Sequence, residues 1–368
     1  MKPLIYFPGL NGLRAIAAMI VMIFHTDQFS HYFGLASQGI WRLRTQSYAV
    51  ILFFVLSGFL ITFLLIQEKE NTGKINVRQF YIRRVRRIWP VYYLVLIAGI
   101  VLIWLFPEQI HRGINPGLGI TALGYAFFIP NIVSFFGYTP DLINVLWSVG
   151  AEEQFYAFWP WVIKNASDLL NHITWFLLAW LIFKYYLNWL HFPKSGWSLG
   201  EYLPFDYMAI GGIAACGYHG RSKMLDFVYH PAVQIIAWLF FVISVLYRPV
   251  HISWLGLLNT DLHAVVYAII LLNVGTNAKT LVSLENRVLN FMGKISYGIY
   301  GFHFIVLFLA SRLLNNWLPA LPVTAARFIQ YGSVISITVV MAYLSWRFYE
   351  SKFRKPVQAE EAQCPFPK

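Results

Sequence analysis

The sequence predicts an all-α fold, a polytopic membrane helix bundle of about ten transmembrane helices plus a re-entrant segment, with both termini cytoplasmic. Three observations lead there. Of 368 residues, 58% are hydrophobic and only 12% are charged, whereas charged residues make up about a quarter of a typical soluble domain. The apolar residues gather into runs long enough to enter lipid, and the connections between them are too short for a sizeable water-soluble domain. The basic residues behind the formal net charge of +12 sit in short clusters between those runs. That is where the positive-inside rule places them, so they are topology signals before they are a nucleic-acid footprint.

The first run, Ala15 to Phe24, has the length of a signal-peptide core, and Gly34-Leu35-Ala36 could pass for a cleavage site. Arg14, His25 and Asp27 bracket the run with polar groups that a cleaved leader has no use for, which favours a retained helix. Further runs lie near residues 47–67, 89–106, 119–137, 147–163, 172–190, 203–217, 231–247, 258–275, 291–311 and 326–348. Not all of them can cross. The connection over 68–88 holds Lys69, Lys74, Arg78, Arg83, Arg84, Arg86 and Arg87 and belongs in the cytoplasm. If every run spanned, the loop with Arg221 and Lys223 would fall on the opposite side.

Run 119–137 is the one to withdraw, because Gly119, Gly124, Pro130, Asn131 and Gly137 are poor content for an uninterrupted helix. As a re-entrant segment it repairs the parity and leaves ten crossings. Eighteen basic residues then face inside and seven outside. Residues 1–350 form the membrane domain and 351–368 a short cytoplasmic tail. Cys216 and Cys364 match no metal spacing or disulfide framework.

Several polar groups stand out against this background. Arg14 and His25 are eleven residues apart, three helical turns plus about 20°, so they share a face about 16.5 Å apart. An intramembrane imidazole is a candidate functional group, with a helix-packing hydrogen bond as the bland alternative. Asp27 either orients it or marks the interface. Arg83, Arg84 and Arg87 fall on one helical face before Pro90, a compact site for phosphates or a basic stop for topology and lipid headgroups. Trp147 to Tyr156 carries Glu152 and Glu153 where a span begins on the outer side; adjacent residues point about 100° apart, so one carboxylate is expected to face the interior. His303 is a second intramembrane imidazole, with Tyr300 within one helical turn of it and Tyr297 within two.

Taken in order, Gly12-Leu13-Arg14 with His25, Phe53 to Leu60 with Ser57 and Gly58 within it, the arginine run to Pro90, Trp147-Ser148 to Tyr156, and Ser296-Tyr297 to His303 resemble the acyltransferase-3 family of integral membrane acyltransferases. The resemblance runs from about residue 8 to residue 350. It implies ten membrane helices, a cytoplasmic acetyl-CoA or other acyl-CoA as donor, no metal, and transfer of the acyl group to a hydroxyl of a glycan or lipid-linked sugar. It also implies a catalytic role for His25 with Arg14, Asp27 and Glu152 beside it. Donor binding falls to Arg14, Arg83, Arg84, Arg87 and Ser57, and acceptor binding to Glu153, Trp147, Tyr156, His303 and Tyr300.

Some members carry a C-terminal extracytoplasmic hydrolase-like domain; this sequence resembles the stand-alone ones. The expected partners are acyl-CoA, the sugar acceptor and membrane lipid, without nucleic acid, and a homodimer is compatible with them. The location expected is the cytoplasmic (inner) membrane. Two other classes compete: a transporter or flippase of a glycolipid or polysaccharide precursor, since buried polar groups and a re-entrant segment also describe a substrate pathway, and a scaffold subunit of a glycan assembly complex.

Overall fold

The computed structural model describes residues 6–39, 45–107, 118–136, 139–189, 199–247, 250–252 and 255–353. Among them the regular structure is all helical. Ten helices of fifteen or more residues appear: α1 (Leu10–Gln28), α2 (Thr45–Thr72), α3 (Val77–Leu105), α7 (Leu146–Asn165), α8 (Leu169–Trp189), α9 (Phe205–His219), α11 (Pro231–Leu246), α12 (Leu258–Thr276), α14 (Ser296–Leu314) and α15 (Val323–Leu344). Shorter ones connect them: α4 (Leu118–Ala126), α5 (Pro130–Phe135), α6 (Asp141–Asn144), α10 (Met224–Val228) and α13 (Arg287–Lys294). A π-helical turn, Ser345–Glu350, continues α15.

Five of these helices are long and apolar enough to cross a membrane: Ser47–Thr72, Val77–Leu105, Leu258–Thr276, Ser296–Leu314 and Val323–Phe353. Of the other long helices, α9 and α11 are shorter, at 15 and 16 residues, while α1, α7 and α8 carry charge into the bundle, such as Arg14 and Asp27 in α1, Glu152 and Glu153 in α7 and Lys184 in α8, which lowers their hydropathy. The 119–137 run is not one helix. Chain direction breaks at 127–129, where Phe128 adopts a left-handed φ of 58° and Pro130 opens α5. Neither half approaches the roughly 20 residues a span requires. Gln154 fastens this break by donating to the Phe128 carbonyl at 2.8 Å, while Asn131 donates to the Gln154 amide oxygen at 3.0 Å. The tail expected over 351–368 lies outside the described residues from 354 onward, as do Lys2, Arg42, Arg44, Arg112, Lys194, Arg248 and Cys364.

α2 is the axis of the fold, packed on α1, α7, α9 and α12. It meets α9 backbone to backbone: a Cβ added to Gly58 would sit 1.9 Å from the Met208 carbonyl oxygen, and one at Gly211 would sit 2.2 Å from that of Val55. In lipid there is no hydrophobic drive between helices, so close packing at small residues supplies the attraction. α1, flanked by α2 and α14, thereby holds its polar face toward the centre of the bundle.

Candidate functional site

Arg14 and His25 sit near opposite ends of the unbroken helix α1. At the Arg14 end, residues of α1, α2, α3, α7, the end of α13 and α14 enclose a cavity of about 320 Å³ whose lining includes Arg14, Ser57, Arg84, Arg87, Ser148, Glu152, Tyr156, Lys294, Tyr297 and Tyr300. Four cations therefore converge on one space. Arg84 lies over the rings of Phe80 and Tyr156, at 5.6 and 6.0 Å from their centroids, which orients its guanidinium plane. Its Nε is buried and makes no hydrogen bond among the described residues. A buried donor of that kind is costly unless a ligand atom satisfies it.

Adjacent positions on α7 send the two carboxylates to different partners, as the 100° step requires. Glu152 lines the cavity and accepts a short hydrogen bond from the Ser57 hydroxyl. Glu153 points to α3 and accepts from the Trp89 indole at 2.9 Å. Ser148, one turn before Glu152, meets the Tyr300 hydroxyl at 2.7 Å.

The His25 end is organised by a second imidazole. His25 Nδ1 lies 2.9 Å from His303 Nε2, with the two rings nearly parallel at 4°. His303 is fully buried, and its Nδ1 is 2.7 Å from the Tyr300 carbonyl oxygen. A carbonyl can only accept, so His303 Nδ1 must carry the proton and its Nε2 a lone pair. The contact with His25 is then satisfied only if His25 Nδ1 donates. The neutral pair has one consistent tautomer, in which His25 Nε2 bears no proton and is available as a base.

The geometry places three of the expected site residues apart from the cationic cavity and the imidazole pair. Arg83 does not join Arg84 and Arg87; it is half-exposed and pairs with Glu68 of α2 at 2.9 Å. The face shared by 83, 84 and 87 is broad, and the nearby carboxylate draws the outermost guanidinium away. Asp27, placed beside His25 by the sequence, is buried at the end of α1. It accepts from the Ser37 hydroxyl at 2.9 Å and the Gln38 backbone N–H at 2.8 Å, fastening the loop after α1, while His303 lies within hydrogen-bond reach of His25 Nδ1. Trp147, expected on the acceptor's side, does not line the cationic cavity and lies edge-on against Phe54 and Tyr202 at 6.1 and 5.6 Å.

Two features escaped the motif reading. Lys294 contributes the fourth cation of the cavity, and a lysine at a cytoplasmic loop boundary carries no signal that separates it from a topology charge. Lys184 lies buried between Asp206, to which it is paired by a short contact, and Asp261 at 3.4 Å. Three charges inside otherwise apolar runs were a readable signal for that cluster.

The profile of a family described as an acyltransferase domain matches residues 7–347. A protein of Staphylococcus aureus (strain COL) named "Putative O-acetyltransferase SACOL0978" is 29% identical over 388 residues, covering 96% of this chain and 58% of that protein. "Peptidoglycan O-acetyltransferase OatA" of Listeria monocytogenes serovar 1/2a is 27% identical over 376 residues, covering 95% of this chain and 56% of that one. The chain thus spans a little over half the length of these curated relatives. No solved structure matches it.

Proposed function

This chain belongs to the acyltransferase-3 family, and on that premise we propose that it is a membrane O-acyltransferase, most simply an O-acetyltransferase, carrying an acyl group from cytoplasmic acyl-CoA to a hydroxyl of an extracytoplasmic glycan or lipid-linked sugar. In this reading the ten long helices all cross the cytoplasmic membrane, α4 and α5 form a re-entrant hairpin, and both termini are inside. The cationic cavity then opens toward the cytoplasm and His25 lies toward the outer side.

The observation that carries the reading is the joint placement of the two ends of α1. Arg14, Arg84, Arg87 and Lys294 converge at one end, where they hold the donor's phosphates. His25, with its Nε2 lone pair directed by His303, stands at the other. A pantetheine arm reaches about 15 Å, close to the about 16.5 Å rise between Arg14 and His25. The polyanionic nucleotide stays at the mouth, and only the acyl group crosses.

Bound acyl-CoA supplies an activated thioester. His25 Nε2 removes the proton of the acceptor hydroxyl as its oxygen bonds to the thioester carbonyl carbon; as the C–S bond breaks, the imidazolium returns that proton to the departing thiolate. The charge that His25 gains is shared through Nδ1–H to His303 Nε2, as an orienting partner shares it in a hydrolase triad. Glu152, held by Ser57, balances the arginines beside the donor. The family resemblance also allows direct attack by His25 and an acyl-histidine. Labelled acetyl-CoA incubated with purified protein and no acceptor separates the two: base catalysis leaves the protein unlabelled, whereas stoichiometric label on His25 requires the covalent route. Full transfer by a well-folded His25→Ala variant would exclude both.

A further inference from the structure

α3 sorts its arginines by face. Arg84 and Arg87 line the cationic cavity and Arg83 pairs with Glu68, but Arg78 and Arg86 line an open groove of about 500 Å³ where α3 runs beside the end of α7, together with Tyr81, Ile82, Val85 and Trp161. At 100° per residue, positions 78, 82, 85 and 86 fall within one sector of about 100°, and positions 84 and 87 fall on the opposite side of the helix. One basic stretch therefore serves two separate places.

The groove has apolar walls and a cationic rim. The Tyr81 hydroxyl donates to the Ala157 carbonyl at 2.5 Å and accepts from the Trp161 indole at 3.1 Å, so both rings use their polar atoms within the protein and leave carbon to the groove. Trp161 is 48% exposed, and the Lys164 ammonium lies 5.0 Å from its ring centroid. Arg78 and Arg86 are exposed. Among the described residues neither makes a hydrogen bond, ion pair or ring contact, and no carboxylate lines the groove. Membrane proteins set tryptophan at headgroup level and cations at the cytoplasmic border. In the topology proposed above, the groove thus lies at the surface of the cytoplasmic leaflet.

An anionic amphiphile matches this pattern. A guanidinium fork suits phosphate oxygens, anionic lipids give the cytoplasmic leaflet its negative potential, and the groove has the size of a small-molecule cleft, about 300 to 1,000 Å³. A second copy of the chain fits poorly, because a two-fold contact would bring the cationic rim onto itself. We propose that this groove binds an anionic phospholipid of the cytoplasmic leaflet, its phosphate held by Arg78 and Arg86 and one acyl chain laid against Ile82, Val85 and Trp161. The lipid then braces α3 on the face opposite the arginines of the cationic cavity. The inference goes beyond the enzymatic reading and takes from it only the orientation of the bundle.

The test is native mass spectrometry of the full chain, purified in detergent and incubated with phosphatidylglycerol and phosphatidylcholine of identical acyl chains. Wild type is expected to retain phosphatidylglycerol in preference. Arg78→Gln and Arg86→Gln should each lower its affinity about fivefold, the contribution of one juxtamembrane cation, and together about 25-fold. Trp161→Ala should weaken both lipids alike, and Arg83→Gln, on the same helix but outside the groove, should change either by less than about twofold. If the double variant is not monodisperse, the single variants carry the measurement. Equal losses at positions 78, 83 and 86 would mean diffuse attraction and overturn the site, as would equal retention of both lipids by wild type. Displacement of the lipid by an equal concentration of soluble glycerol phosphate would overturn the role of the acyl chain. A wild-type dimer that the double variant dissociates would make this face an interface between copies instead. None of these outcomes bears on acetyl transfer, which is assayed separately with labelled acetyl-CoA.

Discussion

At the scale of single residues, partner identity separates side chains that the chain places side by side. Arg84 and Arg87 line the cationic cavity whereas Arg83 faces Glu68, so their substitutions should differ. Arg84→Gln or Arg87→Gln is expected to weaken acetyl-CoA binding by about 1.5 to 3 kcal/mol in a salt-sensitive way, as loss of a charge-assisted hydrogen bond does, and Lys should not fully restore it. Arg83→Gln should change binding by less than about 1 kcal/mol, since its exposed pair is of the weak kind. Equal losses at 83 and 84, measured by equilibrium binding at two salt concentrations, would refute the distinction. His303→Ala removes the acceptor of the His25 Nδ1 proton. It should lower the maximal transfer rate by about 100-fold, within the range that proton transfer contributes, and leave acetyl-CoA affinity near wild type. A loss confined to donor affinity would instead return His303 to a binding role.

The helices show where such placement comes from. α2 and α9 touch through Gly58 and Gly211, where even a methyl group would meet backbone at about 2 Å. Gly58→Leu or Gly211→Leu should therefore abolish monodisperse protein in detergent, whereas Gly217→Ala on the same α9 meets nothing within 4 Å and should behave as wild type. Size-exclusion profiles would decide. The start of α1 is tied down outside the membrane by Glu285, which accepts from the Gly9 backbone N–H at 2.6 Å, Tyr6 at 2.8 Å and Asn290 at 2.6 Å. Burial raises its pKa, but these donors outweigh it and hold the carboxyl below its ordinary value. A depressed carboxyl stabilises the fold above its unfolded pKa and loses that contribution as pH falls through the folded value. Wild type should accordingly lose thermal stability below about pH 4 more steeply than Glu285→Gln. Parallel melting curves in acid would argue against this tie.

For the whole molecule, orientation is the quantity that the cationic cavity depends on. A reporter fused after Phe136 is expected to read the same side as one fused after Phe106, because α4 and α5 are too short to span singly. A reporter within 217–230, beside Arg221 and Lys223, should read cytoplasm. An outside signal there would invert the second half of the bundle and be incompatible with the cationic cavity, which helices of both halves line together.

The amino-acid sequence by itself determined that the chain is an all-helical membrane protein, which segment is interrupted, and which polar residues of α1, α3, α7 and α14 stand out as candidates. Hydropathy, charge bias and helix-breaking residues act locally, so they are written in the order of the chain. The partners of those residues are not. His25 and His303 are 278 positions apart, Ser57 and Glu152 are 95 apart, and a hydrogen bond between helices leaves no periodicity for either strand of sequence to display. The diversion of Arg83 to Glu68, the edge-on packing of Trp147 on Phe54 and Tyr202 and the use of Asp27 to fasten a loop all follow from how α1, α2, α3 and α7 pack. Only the tertiary structure decided them, because helix rotation and crossing in a bundle are set by the close approach of neighbouring backbones at glycines rather than by the composition of any one helix.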